Sequence, residues 1–374
     1  MANTTTTFGA LKNAIKRIIA AASCDQVFIT IDKEGCTIEG KDPKGISGYA
    51  KAQVTTNSLG GSGTGCITAD HVNAILGNES ADAEITIVPS DDGLIMRFAG
   101  SRLKIKRPET SNTALFNDVR EKHTVSHLFT TSGADLKDAF YSATKFAAKR
   151  EIRPFMCGIH LDNSSDKLVV TGTDGYMMHL LNSNIDLTPG AKLDIILPND
   201  AAKAAAGNVF AANELVSVSL LGRNLVEFKT EDMTWVCNLI ADKFPSESIA
   251  MLLKGEANSA DSVVIKQSEV LVALNRVHAI SEDKYLDVEF NDGKFFVRSK
   301  DGEQVGSFAC ETTGTASTFS LMSTLAINTF GAMPSSEFVL MKDGADPQSK
   351  IYLRPIKDAE KDMSWIALLM PARA

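Results

Sequence analysis

The sequence predicts an α+β fold made of three repeated domains, each with two helices packed on antiparallel sheet. Three observations carry this reading, and each occurs three times. An Asp stands in a turn at Lys41-Asp42-Pro43, Thr173-Asp174-Gly175 and Lys300-Asp301-Gly302. A short helix-like segment opens on an aliphatic residue and closes on Gly at Ile67–Gly77, Leu197–Gly207 and Leu321–Gly331. A strand pattern then opens with Glu84, Glu214 and Glu337. The closing glycines lie 130 and then 124 residues apart. That period is far above the roughly 20–50 residues of solenoid repeats, so each repeat is a whole domain with its own core. The expected domains are 1–123, 124–252 and 253–374.

Each repeat is expected to open with an amphipathic helix. Leu11, Ile15, Ile18 and Ile19 share one helical face in the first. Leu136, Phe140, Ala143 and Ala147 do so in the second, and Val270, Leu274 and Val277 in the third. Leu-Lys-x-Ala recurs at Leu11–Ala14 and Leu136–Ala139. Strands follow. Val27–Ile31 turns through Asp32–Gly35 into Cys36–Ile38, and Val288–Phe290 turns through Asn291–Gly293 into Phe295–Val297, both hairpin signals. The second helices are expected at about 68–77, 198–207 and 321–331. Lys254–Asp261 is small and polar, as a linker should be.

Of 374 residues, 44% are hydrophobic and 22% charged, as in an ordinary globular protein. No apolar run is long enough to cross a membrane. Phe8–Ser23 is interrupted by Lys12, Lys16 and Arg17, so it lacks the clean hydrophobic region expected of a signal peptide. The six cysteines form no C-x-x-C pair. They are expected as free thiols in a cytoplasmic protein, without disulfides or zinc. Net charge is −8, which argues against a protein that simply coats nucleic acid. The charge is uneven, however. The first helices of the three repeats carry +3, +2 and +1, so the rest of the chain is strongly acidic. That partition suits a protein meeting phosphates on one surface without reading bases.

Signals for catalysis are thin. Gly60–Gly65 lacks the Lys-Ser/Thr of a phosphate-binding loop and is expected to be a flexible loop. His123-x-x-x-His127 has no further metal ligands beside it. Asp174 has repeat equivalents in Asp42 and Asp301, which points to a structural turn. No cofactor, metal or catalytic residue is expected.

Three patches carry a resemblance. One is Arg150-Glu151-Ile152-Arg153-Pro154 through Cys157-Gly158-Ile159, followed by Val170–Tyr176. Another is Lys243-Phe244-Pro245, and the last is Leu368-Leu369-Met370-Pro371-Ala372-Arg373-Ala374. Together they resemble the bacterial DNA polymerase III beta subunit, the sliding clamp family, over nearly the whole chain. The sequence departs from the family pattern at Tyr176-Met177-Met178, at Ile249-Ala250 and at Ala374, so it resembles a divergent member.

The resemblance implies a non-enzymatic processivity factor. Two chains would close head to tail into a ring of six domains around duplex DNA, without reading sequence. The implied partners are double-stranded DNA, a replicative polymerase, a clamp loader and a second copy of the chain. The implied partner-peptide pocket is Arg153, Met156, Thr173, Gly175, Tyr176, Met177, Met178, Pro245, Ile249, Ser349, Leu368, Leu369, Met370, Pro371 and Arg373. Met and Leu would give an adaptable apolar groove there. The expected DNA-channel residues are Lys12, Lys16, Arg17, Lys137, Lys145, Lys149, Lys203 and Arg276. The implied dimer contacts are Leu103 and Ile105 against Ala279 and Ile280. Two rivals stand beside this reading. One is a monomeric three-domain peptide-binding scaffold that does not encircle DNA. The other is an enzyme using Asp174 and His179.

Overall fold

The computed structural model describes residues 3–45, 48–77, 79–98, 100–108, 121–254, 261–282, 284–314, 317–344, 346, 348–356 and 364–372. The chain divides into two compact units. The first comprises Met1–Lys137, Ile185–Lys192 and Asp200–Ala241, and the second Asp138–Asn184, Leu193–Asn199 and Asp242–Ala374.

The first unit holds two sheets. A four-stranded sheet runs in the order Thr4–Thr7, Glu84–Ser90, Gly93–Phe98, Ser101–Lys106. An eight-stranded sheet runs in the order Gly63–Thr68, Gln26–Ile31, Cys36–Lys41, Tyr49–Val54, Met233–Asn238, Leu225–Lys229, Leu215–Leu221, Val125–Ser132. Its middle is a seam: Tyr49–Val54 of the first repeat pairs with Met233–Asn238 of the second, with Trp235 opposite Ala50. Helix α1 (Phe8–Ala22) lays Leu11, Ala14, Ile15 and Ile18 into the core, and Thr7 caps it by accepting from the Ala10 N–H. Helix α2 (Ala69–Leu76) follows strand Gly63–Thr68.

The second unit repeats the plan. A nine-stranded sheet runs in the order Asp194–Pro198, Gly158–Asp162, Lys167–Thr173, Met177–Asp186, Ser364–Leu369, Ile351–Pro355, Glu337–Lys342, Asp261–Lys266, Glu311–Thr313. Its seam joins Met177–Asp186 of the second repeat to Ser364–Leu369 of the third. A four-stranded sheet runs Val305–Ala309, Lys294–Ser299, Tyr285–Asn291, Ser317–Met322. All these pairings are antiparallel. The division of the units cuts α3 (Gly133–Phe146) after Lys137 and α4 (Asn199–Ala205) after Asn199, so the rest of α4 belongs to the first unit, while α5 (Ser246–Leu253), α6 (Gln267–Ile280) and α7 (Ser323–Gly331) belong to the second.

Six of the seven helices among the described residues fall where the sequence pattern places them, and α5 does not. The second helix of each repeat also begins one or two residues late. Ile67, Leu197 and Leu321 are buried at the ends of the preceding strands, and α2, α4 and α7 start at residues 69, 199 and 323. Gly60–Gly65 is half strand rather than flexible loop. A Cβ on Gly65 would stand 2.7 Å from Ile105 Cγ2, so the glycine admits the neighbouring sheet. The three turn aspartates act alike. Asp42, Asp174 and Asp301 each accept from the backbone N–H two residues on, at 2.7, 2.9 and 3.0 Å.

All six cysteines are free thiols. Burial pushes the Cys24 thiol up to about 11 and Cys36 up to about 12. Most of the linker Lys254–Asp261 lies outside the described residues.

Candidate functional site

The second unit gathers most of the residues named for the partner pocket around its seam. Met177 lies opposite Leu369 and Met178 opposite Leu368. The Met370 N–H donates to the Tyr176 carbonyl at 2.9 Å, which extends the seam by one rung. Thr173 sits at the other end of the same turn. Its hydroxyl donates to the Met177 carbonyl at 2.8 Å and accepts from the Gly175 N–H at 3.1 Å. Gly175 has φ +89°, a left-handed conformation that favours glycine. A side chain there would also meet Met156 Cε at 3.3 Å and the Arg153 guanidinium at 3.4 Å. This turn therefore brings Arg153, Met156 and Gly175 together. Tyr176 stands out at 69% exposure, whereas Met178 and Leu368 are buried.

Helix α5 supplies the opposite wall, with Pro245 at its N-terminus and Ile249 buried beneath it. The sequence pattern missed this helix because Ser246–Leu253 is only eight residues long and carries no favourable capping side chain. The spacing of Ile249, Leu252 and Leu253 was the available signal. Beside α5 lies a cavity of about 520 Å3, lined by Thr171, Leu180, Phe244, Ile249, Ala250 and Leu253 among others. Thr171 and Leu180 are two positions from Thr173 and Met178 along their strands, so they share a sheet face with them. His160 also lines the cavity. It stacks on Phe244 at 4.1 Å between centroids, with Nε2 2.7 Å from Asp194 and Nδ1 3.2 Å from Asp162. Burial opposes ionisation of Asp162, but hydrogen bonds from His160 and Ser164 outweigh it and hold the carboxyl below its usual range.

The remaining pocket residues divide. Pro371 is half-buried beyond Met370. Ser349 is half-buried in the turn before strand Ile351–Pro355, and its N–H donates to the Asp346 carbonyl at 2.9 Å. Arg373 lies outside the described residues.

Six of the expected DNA-facing side chains are available to solvent. Lys16, Lys137, Lys149 and Arg276 are exposed, Lys203 is exposed at 3.9 Å from Asp200, and Lys145 sits 4.9 Å over the Tyr141 ring. Lys12 is half-buried, with Nζ 3.4 Å from the Gly77 carbonyl. Arg17 is a correction. It is 7% exposed, and its guanidinium donates to the Val209 carbonyl at 2.7 Å, to Glu214 at 2.6 Å and to Asp232 at 2.9 Å. Buried and held by these acceptors, it ties the fold together instead of facing solvent. Among the named dimer contacts, Ala279 and Ile280 are exposed and Leu103 half-exposed. Ile105 is also a correction, because it is 5% exposed and packs inward on Gly65.

The enzyme alternative fails at His179. The ring is fully buried between Phe146 and Trp365, at 5.3 and 6.0 Å, with neither nitrogen hydrogen-bonded among the described residues. Desolvation pushes it down to about 3. Burial raises Asp174, against hydrogen bonds from the N–H groups of Met177 and Tyr176, so its carboxylate serves the turn. No cluster of three or more potential metal-binding side chains occurs among the described residues. None of their helices is long and apolar enough to cross a membrane.

Residues 132–246 match the family of the DNA polymerase III beta subunit, central domain. The beta sliding clamp of Buchnera aphidicola is 23% identical over 357 residues, which span 92% of this chain and 91% of that protein. Part of the chain thus matches the family model of the clamp's central domain, and nearly its whole length is similar to a beta sliding clamp. The clamp fold is kept along the whole chain. The DNA polymerase III beta subunit of Thermotoga maritima superposes with a TM-score of 0.82 at 16% identity, covering 100% of both chains. The DNA polymerase sliding clamp of Pseudomonas aeruginosa does so with 0.82 at 15% identity, again over 100% of both.

Proposed function

We propose that two copies of this clamp close head to tail into a ring of six repeats, divided at 1–123, 124–252 and 253–374. The ring encircles duplex DNA and tethers a polymerase through the pocket around Thr173, Met178, Ile249 and Leu368. The observation that carries this reading is an edge-strand pattern. At both internal seams, the fourth strand of one repeat pairs with the last strand of the next. The third repeat's fourth strand, Val305–Ala309, and the first repeat's last strand, Ser101–Lys106, are instead edges of four-stranded sheets. Unpaired edges are templates for another chain. Joining them between two copies gives a third seam of the same kind and closes the cycle with two-fold symmetry. The exposed lysines of the helices then offer diffuse phosphate contacts that allow sliding.

The register of the first seam, in which Val236 lies opposite Tyr49, sets Lys104 opposite Val305 when carried over strand for strand. A chain with Lys104→Cys and Val305→Cys tests this directly. Oxidation is expected to yield covalent closed dimers that stay on nicked circular DNA in high salt and leave it once the circle is linearised. Failure to crosslink, or equal retention on linear DNA, rules out encirclement and favours the monomeric scaffold.

A further inference from the structure

We infer that Arg276 docks on the acidic turn Glu79–Glu84 of a second copy of this chain, as the ionic clip of the third seam. The inference rests on the ring reading and goes beyond it by naming the contact.

The first helices of the three repeats can be set in register by their buried faces. Leu11, Ala14, Ile15 and Ile18 of α1 correspond to Leu136, Ala139, Phe140 and Ala143 of α3 and to Val270, Ala273, Leu274 and Val277 of α6, and all twelve side chains are buried. In this register Arg17, Ser142 and Arg276 occupy one position. The first two are buried and do the same work. Arg17 donates to the carbonyl of Val209, two residues past the closing Gly207 of the next repeat. The Ser142 hydroxyl donates to the carbonyl of Ala332, one residue past the closing Gly331 of the next repeat, at 2.8 Å. Each side chain thus ties its helix to the end of the following repeat's second helix. The third has no following repeat within the chain. Arg276 is exposed, and no hydrogen bond or ion pair to it occurs among the described residues.

The segment that would follow it in a head-to-tail assembly begins just past Gly77, the closing glycine of the first repeat. That segment carries Glu79, Asp82 and Glu84, with Asp82 and Glu84 exposed. None of the three carboxylates has a cationic partner within 4 Å among the described residues. At the first seam an arginine at this helix position meets Glu214 and Asp232. The unpaired arginine and the unpaired carboxylates therefore complement each other in charge and in place within the repeat. An arginine fork is well suited to such a contact. Arg276 is then an interface residue rather than one of the DNA-facing set.

Charge reversal on the full-length protein tests the pairing, with the dimer dissociation constant read by sedimentation. Arg276→Glu is expected to weaken the dimer at least tenfold. Combining it with Glu79→Lys and Asp82→Lys is expected to restore most of that loss, whereas Lys16→Glu leaves dimerisation unchanged. An unaltered dimer in Arg276→Glu, or a defect the acidic reversals do not rescue, overturns the pairing and leaves the ring intact. A native chain that stays monomeric at every concentration overturns the ring and the pairing together.

Discussion

The two internal seams are built from equivalent strands, yet they are finished differently. In the first unit Arg17 closes the seam beside Trp235, bonded to Glu214 and Asp232. The Trp235 ring stacks on Phe228 at 4.9 Å. In the second unit the same helix position holds the small Ser142, and the seam is lined by Met177, Met178, Leu368 and Leu369. One seam is locked by a directional ionic network, and the other by deformable sulfur and aliphatic packing next to a cavity. Methionine adapts to irregular partners, so the second seam is suited to binding and the first to holding shape.

The largest effect expected from this contrast is at Arg17. Arg17→Ala leaves the half-buried Glu214 carboxylate without its cation and should cost about 3 kcal/mol in urea unfolding, whereas Arg17→Met should cost much less. Equal losses from both would mean that packing, not charge, locks the first seam. At the second seam, deleting Met370–Ala374 should weaken binding of a labelled polymerase tail peptide by at least about 100-fold, or 2.8 kcal/mol. The deletion should leave the unfolding midpoint nearly unchanged, and unaltered peptide affinity would remove the pocket assignment.

His179 separates the seams by pH. Its folded value, depressed to about 3, lies below the ordinary 6.5. Between those values the unfolded chain binds a proton that the folded chain refuses. The second unit should therefore lose stability as pH falls through 6.5 towards 3, with a limiting slope near 1.4 kcal/mol per pH unit. His179→Phe should flatten that slope, and a slope that persists would place the titration elsewhere. The smallest effects belong to the exposed lysines. Replacing Lys16, Lys137 or Lys145 with Gln should each lower the salt dependence of DNA binding by about 0.9 in log–log slope. The same change at a lysine outside these helices, such as Lys229 on strand Leu225–Lys229, should not.

Much of the fold was legible in the sequence because its causes are local. Leu11–Ile18 and Leu136–Ala143 repeat one buried stripe, and Asp42, Asp174 and Asp301 make the same turn bond. Helix α5 was missed because eight residues carry too short a period to stand out from a polar linker. The starts of the second helices slipped by one or two residues because Ile67, Leu197 and Leu321 suit a strand end as well as a helix start.

The sequence by itself determined the repeat, the α+β class, most of the helices and the apolar character of the pocket residues. These follow from side-chain period and turn chemistry over a few neighbours. Tertiary structure alone decided that Arg17 is a buried strut while Lys16 beside it reaches solvent, and that Ile105 faces the core. It also decided that Ile249 and Leu180 line one cavity. Those outcomes depend on which strand of another repeat completes the sheet, and no local pattern specifies which residues such a distant neighbour will cover.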